Sequence, residues 1–196
     1  MKIGGFQPFS LSDFPGRPAA IVFSQGCNFR CPYCHNRQLW PRQSSTAPPL
    51  SPEDVLNFLA QRQGCLSGLV ITGGEPTLQP DLVNFARDVK RLGMAVKLDT
   101  NGSQPEILEI LLARRLVDYI AMDVKAPLAI YDRLCGVPVD PAVIRDAIDL
   151  IAASTIRHHF RTTFDRTRLS EVDLDAIKAT LPPRVDYRVQ PCRKVH

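Results

Sequence analysis

The chain reads as an α/β protein built on a parallel sheet. Short apolar segments rich in β-forming residues alternate with helical segments through six β-then-α steps, and the chemically suggestive motifs sit directly after the short segments. Each crossover in such an alternation is right-handed and returns the chain to the same edge, so successive strands run parallel. In parallel α/β sheets ligands gather at the carboxyl ends of the strands, which places those motifs around one site. At 196 residues with 44% hydrophobic and 22% charged residues, the chain has the size and balance of one ordinary globular domain, which excludes global disorder.

Residues 3–18 carry Phe6, Phe9 and Phe14 and a Pro15-Gly16 turn, and they read as a packing cover for the strand that follows, separate from a domain over 19–196. Ala19–Ser24 is the first predicted strand, followed by a cysteine-bearing loop and a Pro- and Ser-rich linker, Pro41–Leu50. Ser51-Pro52-Glu53-Asp54 opens a helix with a serine cap, proline at the first helical position and acids in the first turn, and Gly64 ends it. Strand two, Gly68–Thr72, runs into Gly73-Gly74-Glu75-Pro76; a helix over Asp81–Leu92 stops at Gly93. Strand three, Ala95–Leu98, ends in Asp99-Thr100-Asn101-Gly102, and a helix over Glu106–Arg115 leads to strand four, Tyr119–Met122, ending in Asp123-Val124-Lys125. A short helix at Tyr131–Leu134 has Gly136 as its cap, and Asp140-Pro141 begins the next, to about Ser154. Strand five is His158–Thr163, a helix follows from Ser170, and strand six is Tyr187–Val189.

Partner classes narrow from the same composition. The longest apolar runs, such as Leu69–Thr72, are far short of the ~20 residues a bilayer span needs. Met1-Lys2 leads into glycines and polar residues where a signal peptide has its apolar region, so a cytoplasmic location with reduced thiols is expected, and no membrane partner. The formal charge of +4 is mild and dispersed, without the basic stripe that nucleic acid binding requires.

The chemistry concentrates in Ser24–Asn36, S-Q-G-C-N-F-R-C-P-Y-C-H-N. Cys27, Cys31 and Cys34 are close enough in one loop for three thiolates to meet one object, and no fourth cysteine follows nearby. Iron–sulfur cubanes take four cysteines, so three would leave one iron open, the mark of a reactive centre. Zinc and fortuitous core cysteines are the alternatives; structural zinc sites combine paired ligand units from separate segments, which a single C-x-x-x-C-x-x-C run does not provide. Cys65, Cys135 and Cys192, tens of residues apart, read as structural thiols.

The C-x-x-x-C-x-x-C run with Tyr33 before its last cysteine resembles the signature of the radical S-adenosylmethionine (radical SAM) superfamily. The string C-N-F-R-C-P-Y-C-H-N-R is similar to that of glycyl-radical-enzyme activating proteins, above all the activator of anaerobic ribonucleoside-triphosphate reductase. That resemblance implies a partial (β/α)6 TIM-type barrel, a [4Fe-4S] cluster on Cys27, Cys31 and Cys34, and S-adenosylmethionine chelated by the open iron. It implies reductive cleavage to a 5′-deoxyadenosyl radical, fed by a low-potential donor such as flavodoxin or ferredoxin, and hydrogen abstraction from a glycine of a glycyl radical enzyme. It places Tyr33 and His35 beside the adenine, and Gly73, Gly74 and Glu75 at the methionine ammonium. It places Lys125 at the carboxylate or ribose, with Asn101 among the cofactor contacts. Asp99, Thr100, Asp123 and the Val124 carbonyl become a site for a monovalent cation. Arg193 is the counterpart of an adenosine contact near the last strand. Another glycyl radical enzyme of the pyruvate formate-lyase type, or a small molecule, is the alternative substrate; a non-catalytic Fe–S or zinc module is the alternative class.

Overall fold

The computed structural model describes residues 1–41 and 50–192. Most of the predicted linker Pro41–Leu50, and Arg193, lie outside the described residues. Among the described residues, seven strands form one sheet in sequential order: β1 (Ile3–Ser10), β2 (Ala19–Ser24), β3 (Gly68–Gly73), β4 (Ala95–Thr100), β5 (Tyr119–Asp123), β6 (Arg157–Phe164) and β7 (Tyr187–Pro191). From β2 onward every pairing is parallel, as the alternation predicts. β1 pairs antiparallel with β2. The sheet is a partial barrel whose two edges, β1 and β7, do not pair with each other.

The segment read from sequence as a cover therefore contributes a strand of its own. Its alternation is weak, with Gly4 and Gly5 in its first half, and it forms because it finds a partner edge on β2. Its phenylalanines divide. Phe14 is 2% exposed and plugs the base of the barrel, Phe6 stacks edge-on against Phe58 at 5.1 Å, and Phe9 is 52% exposed, against the expectation that all three are core.

The crossover elements are α1 (Pro52–Gln61), α2 (Leu82–Arg91), α3 (Pro105–Ala113), α4 (Tyr131–Cys135), α5 (Pro141–Ala153) and α6 (Glu171–Thr180). Capping chemistry sets their starts. Ser51 and Asp54 exchange side-chain and backbone bonds at α1, and Ser170 and Asp173 repeat this capping box at α6. Asp140 accepts from the Ala142 amide at α5, and Gly136, at φ 68°, ends α4 in the left-handed region. The helices pack their apolar faces on the outside of the sheet, forming the main core with Val22, Leu69, Ile71, Leu98, Ile120 and Phe160.

The inner face obeys the two-residue period of strands. At the base it is apolar: Phe14, Ala19, Ile21, Val70, Ala95 and Tyr119 form a separate small cluster. Two residues higher it becomes polar, with Lys97 after Ala95 and Arg161 after His159. At the transition the Tyr119 hydroxyl and His159 Nδ1 are hydrogen-bonded at 2.9 Å. Burial, followed by the positive charges of Arg188, Arg161 and Lys97, pushes the His159 pKa down to about 4.

A histidine held neutral in the fold but protonated when unfolded costs stability as pH falls from about 6.5 toward 4, because the unfolded chain then binds the extra proton. Urea melts at pH 7.5 and pH 5 are expected to show His159→Gln losing less stability across that interval than the wild type, by roughly 1–2 kcal/mol. Equal losses in both proteins would remove His159 from the explanation.

Candidate functional site

Cys27, Cys31 and Cys34 stand on the loop after β2, and backbone bonds hold that loop. The Gly26 amide donates to the Leu39 carbonyl at 2.8 Å and the Cys27 amide to the Trp40 carbonyl at 3.2 Å, closing the loop through the single turn Arg37–Leu39. Arg30 donates to the carbonyls of Cys27 and Phe29 at 2.7 and 2.8 Å and lies over the Trp40 ring. The Phe29 amide points at Cys27 Sγ, 3.4 Å away, a donor suited to a thiolate. The three cysteines line one cavity of about 670 Å³, room for a cluster together with a nucleotide-sized ligand.

The other strand ends meet them there. Gly73 ends β3, with Gly74 and Glu75 after it; Asp99 and Thr100 end β4, with Asn101 after them; Asp123 ends β5, with Lys125 two residues on; all line the same cavity, with Tyr33 and His35. Val124 does not. It is fully buried, and its carbonyl accepts from Thr162 Oγ1 at 2.7 Å, away from the position expected of a cation ligand. Tyr33 is 6% exposed and its hydroxyl is without a hydrogen-bond partner among the described groups, while His35 is exposed at the rim.

The G-G-E-P segment differs in detail from its expected role. A Cβ on Gly74 would fall 2.2 Å from the Gly26 carbonyl oxygen, and one on Gly73 would fall 2.5 Å from the Ser24 amide, so the glycines admit the cysteine loop's own backbone. The Gly74 amide donates to Ser24 O at 2.9 Å and the Glu75 amide to Gly26 O at 2.8 Å. The Glu75 carboxylate turns inward. One oxygen accepts from the Thr77 amide, Thr77 Oγ1 and Thr100 Oγ1, and the other from the Asn101 amide at 2.7 Å. Burial raises its pKa and those four donors oppose the rise. With 0% exposure the carboxylate is committed to these four donors, and Gly73, Gly74 and Glu75 line the cavity.

Asn101 is likewise engaged with the loops. Its amide nitrogen Nδ2 donates to Asn28 Oδ1 at 3.0 Å, and Asn28 donates to Ser103, joining the cysteine loop to the end of β4.

Two residues that the spacing of motifs does not reveal belong to the site. Arg161, on β6, lines the cavity and donates through Nε to Asp123 at 2.5 Å and through Nη2 to Asp99 at 3.2 Å. Burial disfavours the Asp123 carboxylate, yet Arg161 and Lys125 hold its pKa well below the usual range; Lys125 is pushed up against its own burial by Asp123. Cys135, at the end of α4, is fully buried beneath the cysteine loop, with its carbonyl accepting from the Arg30 amide at 2.7 Å. The nearness of its thiol lowers the Cys31 pKa, while burial raises that of Cys27 to about 11. Cys135 thus stands beside Cys31, although the two are 104 positions apart in the chain. No sequence pattern announces it; α4 brings it there.

The donor set fits a cluster better than a single ion. A tetrahedral zinc, with Zn–S near about 2.3 Å, needs its sulfurs to converge, and among the described residues no three His, Cys, Asp or Glu groups do so. A cubane holds its ligands at separate corners, as thiols arranged around a cavity wall allow.

Known proteins resemble this chain over most of its length. The model of the radical SAM superfamily matches residues 21–172. A protein of Methanocaldococcus jannaschii, named as a candidate glycyl-radical enzyme activating enzyme, is 34% identical over 196 aligned residues, covering 96% of this chain and 78% of its own. The pyruvate formate-lyase-activating enzyme of Clostridium pasteurianum is 31% identical over 131 residues, covering 63% of this chain and 52% of its own. Among solved structures, Streptococcus suis SuiB bound to its precursor peptide SuiA superposes with a TM-score of 0.69 at 17% identity, over 88% of this chain and 38% of that one. The structure of anSMEcpe with bound AdoMet gives 0.66 at 17% identity, over 86% and 50%. These last two likenesses show the fold. Apart from the archaeal protein, the chain spans about half or less of the length of these relatives.

The Glu75 bonds carry a direct test. Glu75→Gln puts an amide donor among four donors, and urea unfolding is expected to register a loss of about 1–3 kcal/mol. Unchanged stability would mean that the carboxylate does not join the loops.

Proposed function

The chain belongs to the radical SAM superfamily, and we propose that it is an activating enzyme that installs a glycyl radical in a partner protein, anaerobic ribonucleotide reductase. The observation that carries this reading is the meeting of three thiols from one loop with the ends of β3, β4 and β5 on one cavity. The 34% identity to the archaeal relative supports the activating role, and the C-N-F-R-C-P-Y-C-H-N-R string supports the choice of partner. When bound, a [4Fe-4S] cluster supplies the electron that cleaves S-adenosylmethionine to methionine and a 5′-deoxyadenosyl radical, which takes a hydrogen atom from glycine.

The residues divide the work. Cys27, Cys31 and Cys34 hold the cluster, with the Phe29 amide donating to the Cys27 sulfur and the buried Cys135 beside Cys31. The backbone of Gly73 and Gly74 receives the methionine ammonium, since the Glu75 carboxylate is already committed. Lys125, tied to Asp123 at 2.9 Å through Nζ, presents its charge to the methionine carboxylate. Tyr33 and His35 border the adenine. Ile21, Phe23 and Phe29 on the cavity wall limit water near the reacting centre. The partner's glycine enters along the open flank between β1 and β7, and a low-potential flavodoxin or ferredoxin supplies the electron.

Anaerobically reconstituted protein is expected to take up about four irons and, after reduction with S-adenosylmethionine and the reductase, to give a glycine-centred doublet in electron paramagnetic resonance. Cys31→Ala removes both the doublet and 5′-deoxyadenosine. A doublet with pyruvate formate-lyase and none with the reductase would reassign the partner; no 5′-deoxyadenosine from the wild type would overturn the activity itself.

A further inference from the structure

The acids expected to hold a monovalent cation are joined by a side chain of this protein. Lys97, Asp99, Arg161, Asp123 and Lys125 form a ladder of alternating charge across the ends of β4, β6 and β5. Asp99 Oδ1 accepts from Lys97 Nζ, and Oδ2 from Arg161 at 3.2 Å and Thr72 Oγ1 at 3.3 Å. Asp123 Oδ1 accepts from Arg161 Nε at 2.5 Å and Oδ2 from Lys125 at 2.9 Å. All four carboxylate oxygens therefore face protein donors.

The remaining oxygens of the expected cage are also taken. Thr100 Oγ1 donates to Glu75 at 2.8 Å and accepts from the Gly102 amide at 3.1 Å, and the Val124 carbonyl faces Thr162. An alkali cation needs several oxygens whose lone pairs point at it. Ammonium and guanidinium groups aimed at the same lone pairs repel it, more strongly where solvent is scarce: the ladder's side chains are between 4% and 21% exposed. Three fixed cations against two carboxylates already leave one net positive charge.

We propose that Arg161 is this chain's built-in cation: its guanidinium clamps Asp99 to Asp123 in place of a monovalent metal ion and makes cofactor binding independent of potassium and sodium. A planar fork suits this role, because it spans two carboxylates on different strands with separate N–H groups. Arg161 acts here as a positioning residue. It fixes Asp123, Asp123 fixes Lys125, and the net charge faces the cavity where the proposed function puts the methionine carboxylate. The second half of this inference rests on that reading; the exclusion of the metal ion rests on the ladder alone.

Both halves are measurable. The apoprotein is expected to melt at one temperature in potassium, sodium, lithium and tetramethylammonium chloride at equal ionic strength. Arg161→Ala leaves two buried carboxylates bridged by nothing, and its melting temperature should rise by roughly 2–4 °C, saturably, in potassium or sodium over tetramethylammonium. In reconstituted protein, calorimetric affinity for S-adenosylmethionine should be equal across the four salts in the wild type. In Arg161→Ala it should fall at least about tenfold in tetramethylammonium, with recovery in potassium or sodium; Arg161→Lys should stay salt-independent. Saturable potassium or sodium dependence in the wild type, or wild-type affinity for Arg161→Ala in tetramethylammonium, overturns the proposal. If Arg161→Ala fails to fold, Arg161→Gln and the wild-type salt series still decide it. A wild type that binds no S-adenosylmethionine refutes the functional reading, while the apoprotein melts still judge the ladder.

Discussion

A carboxylate sealed from water organises the top of this barrel. Glu75 cannot be solvated, so both its oxygens must be satisfied from protein, and the donors come from two different strand ends: Thr77 beyond β3, and Thr100 and Asn101 at β4. Its own amide meanwhile donates to Gly26 in the cysteine loop. A buried charge tolerates little displacement of its donors, because each lost bond exposes the full cost of desolvation. Three segments distant in sequence are thereby held in one arrangement, and the cysteines inherit their positions from it.

Below that junction, the inner wall changes character along β4 and β6. The base is closed by Phe14 and its apolar neighbours, and the next inward positions on those two strands are Lys97 and Arg161. Charges so placed persist only as pairs. Their alternation along Lys97, Asp99, Arg161, Asp123 and Lys125 satisfies each one from both sides or from one side and the cavity. The result is a rigid polar floor beneath the thiols, with its positive surplus toward the space a ligand occupies.

Much of this was legible from residues alone where the signal is local. Ser51 with Asp54, Asp140 before Pro141, and Gly136 as a left-handed cap act within a few residues of themselves, and the helices start and stop where those residues place them. The first parallel strand, Ala19–Ser24, has the boundaries its apolar run predicts. The strand Ile3–Ser10 was not legible, since its two glycines hide the period and only the neighbouring edge stabilises it. Phe9 shows the converse, an aromatic residue that the strand leaves outside.

By itself the sequence determined the fold class, the run of parallel strands from β2 onward and the cysteine trio, because hydrophobic period, caps and close ligand spacing are properties of neighbouring residues. Which way Glu75 points, that Arg161 stands between Asp99 and Asp123, and that Cys135 lies under Cys31 were decided only in three dimensions. Those contacts join residues 26 to 104 positions apart, or 38 and 62 for the arginine. Electrostatic pairing depends on distance through space, and distance through space is set by the assembled sheet.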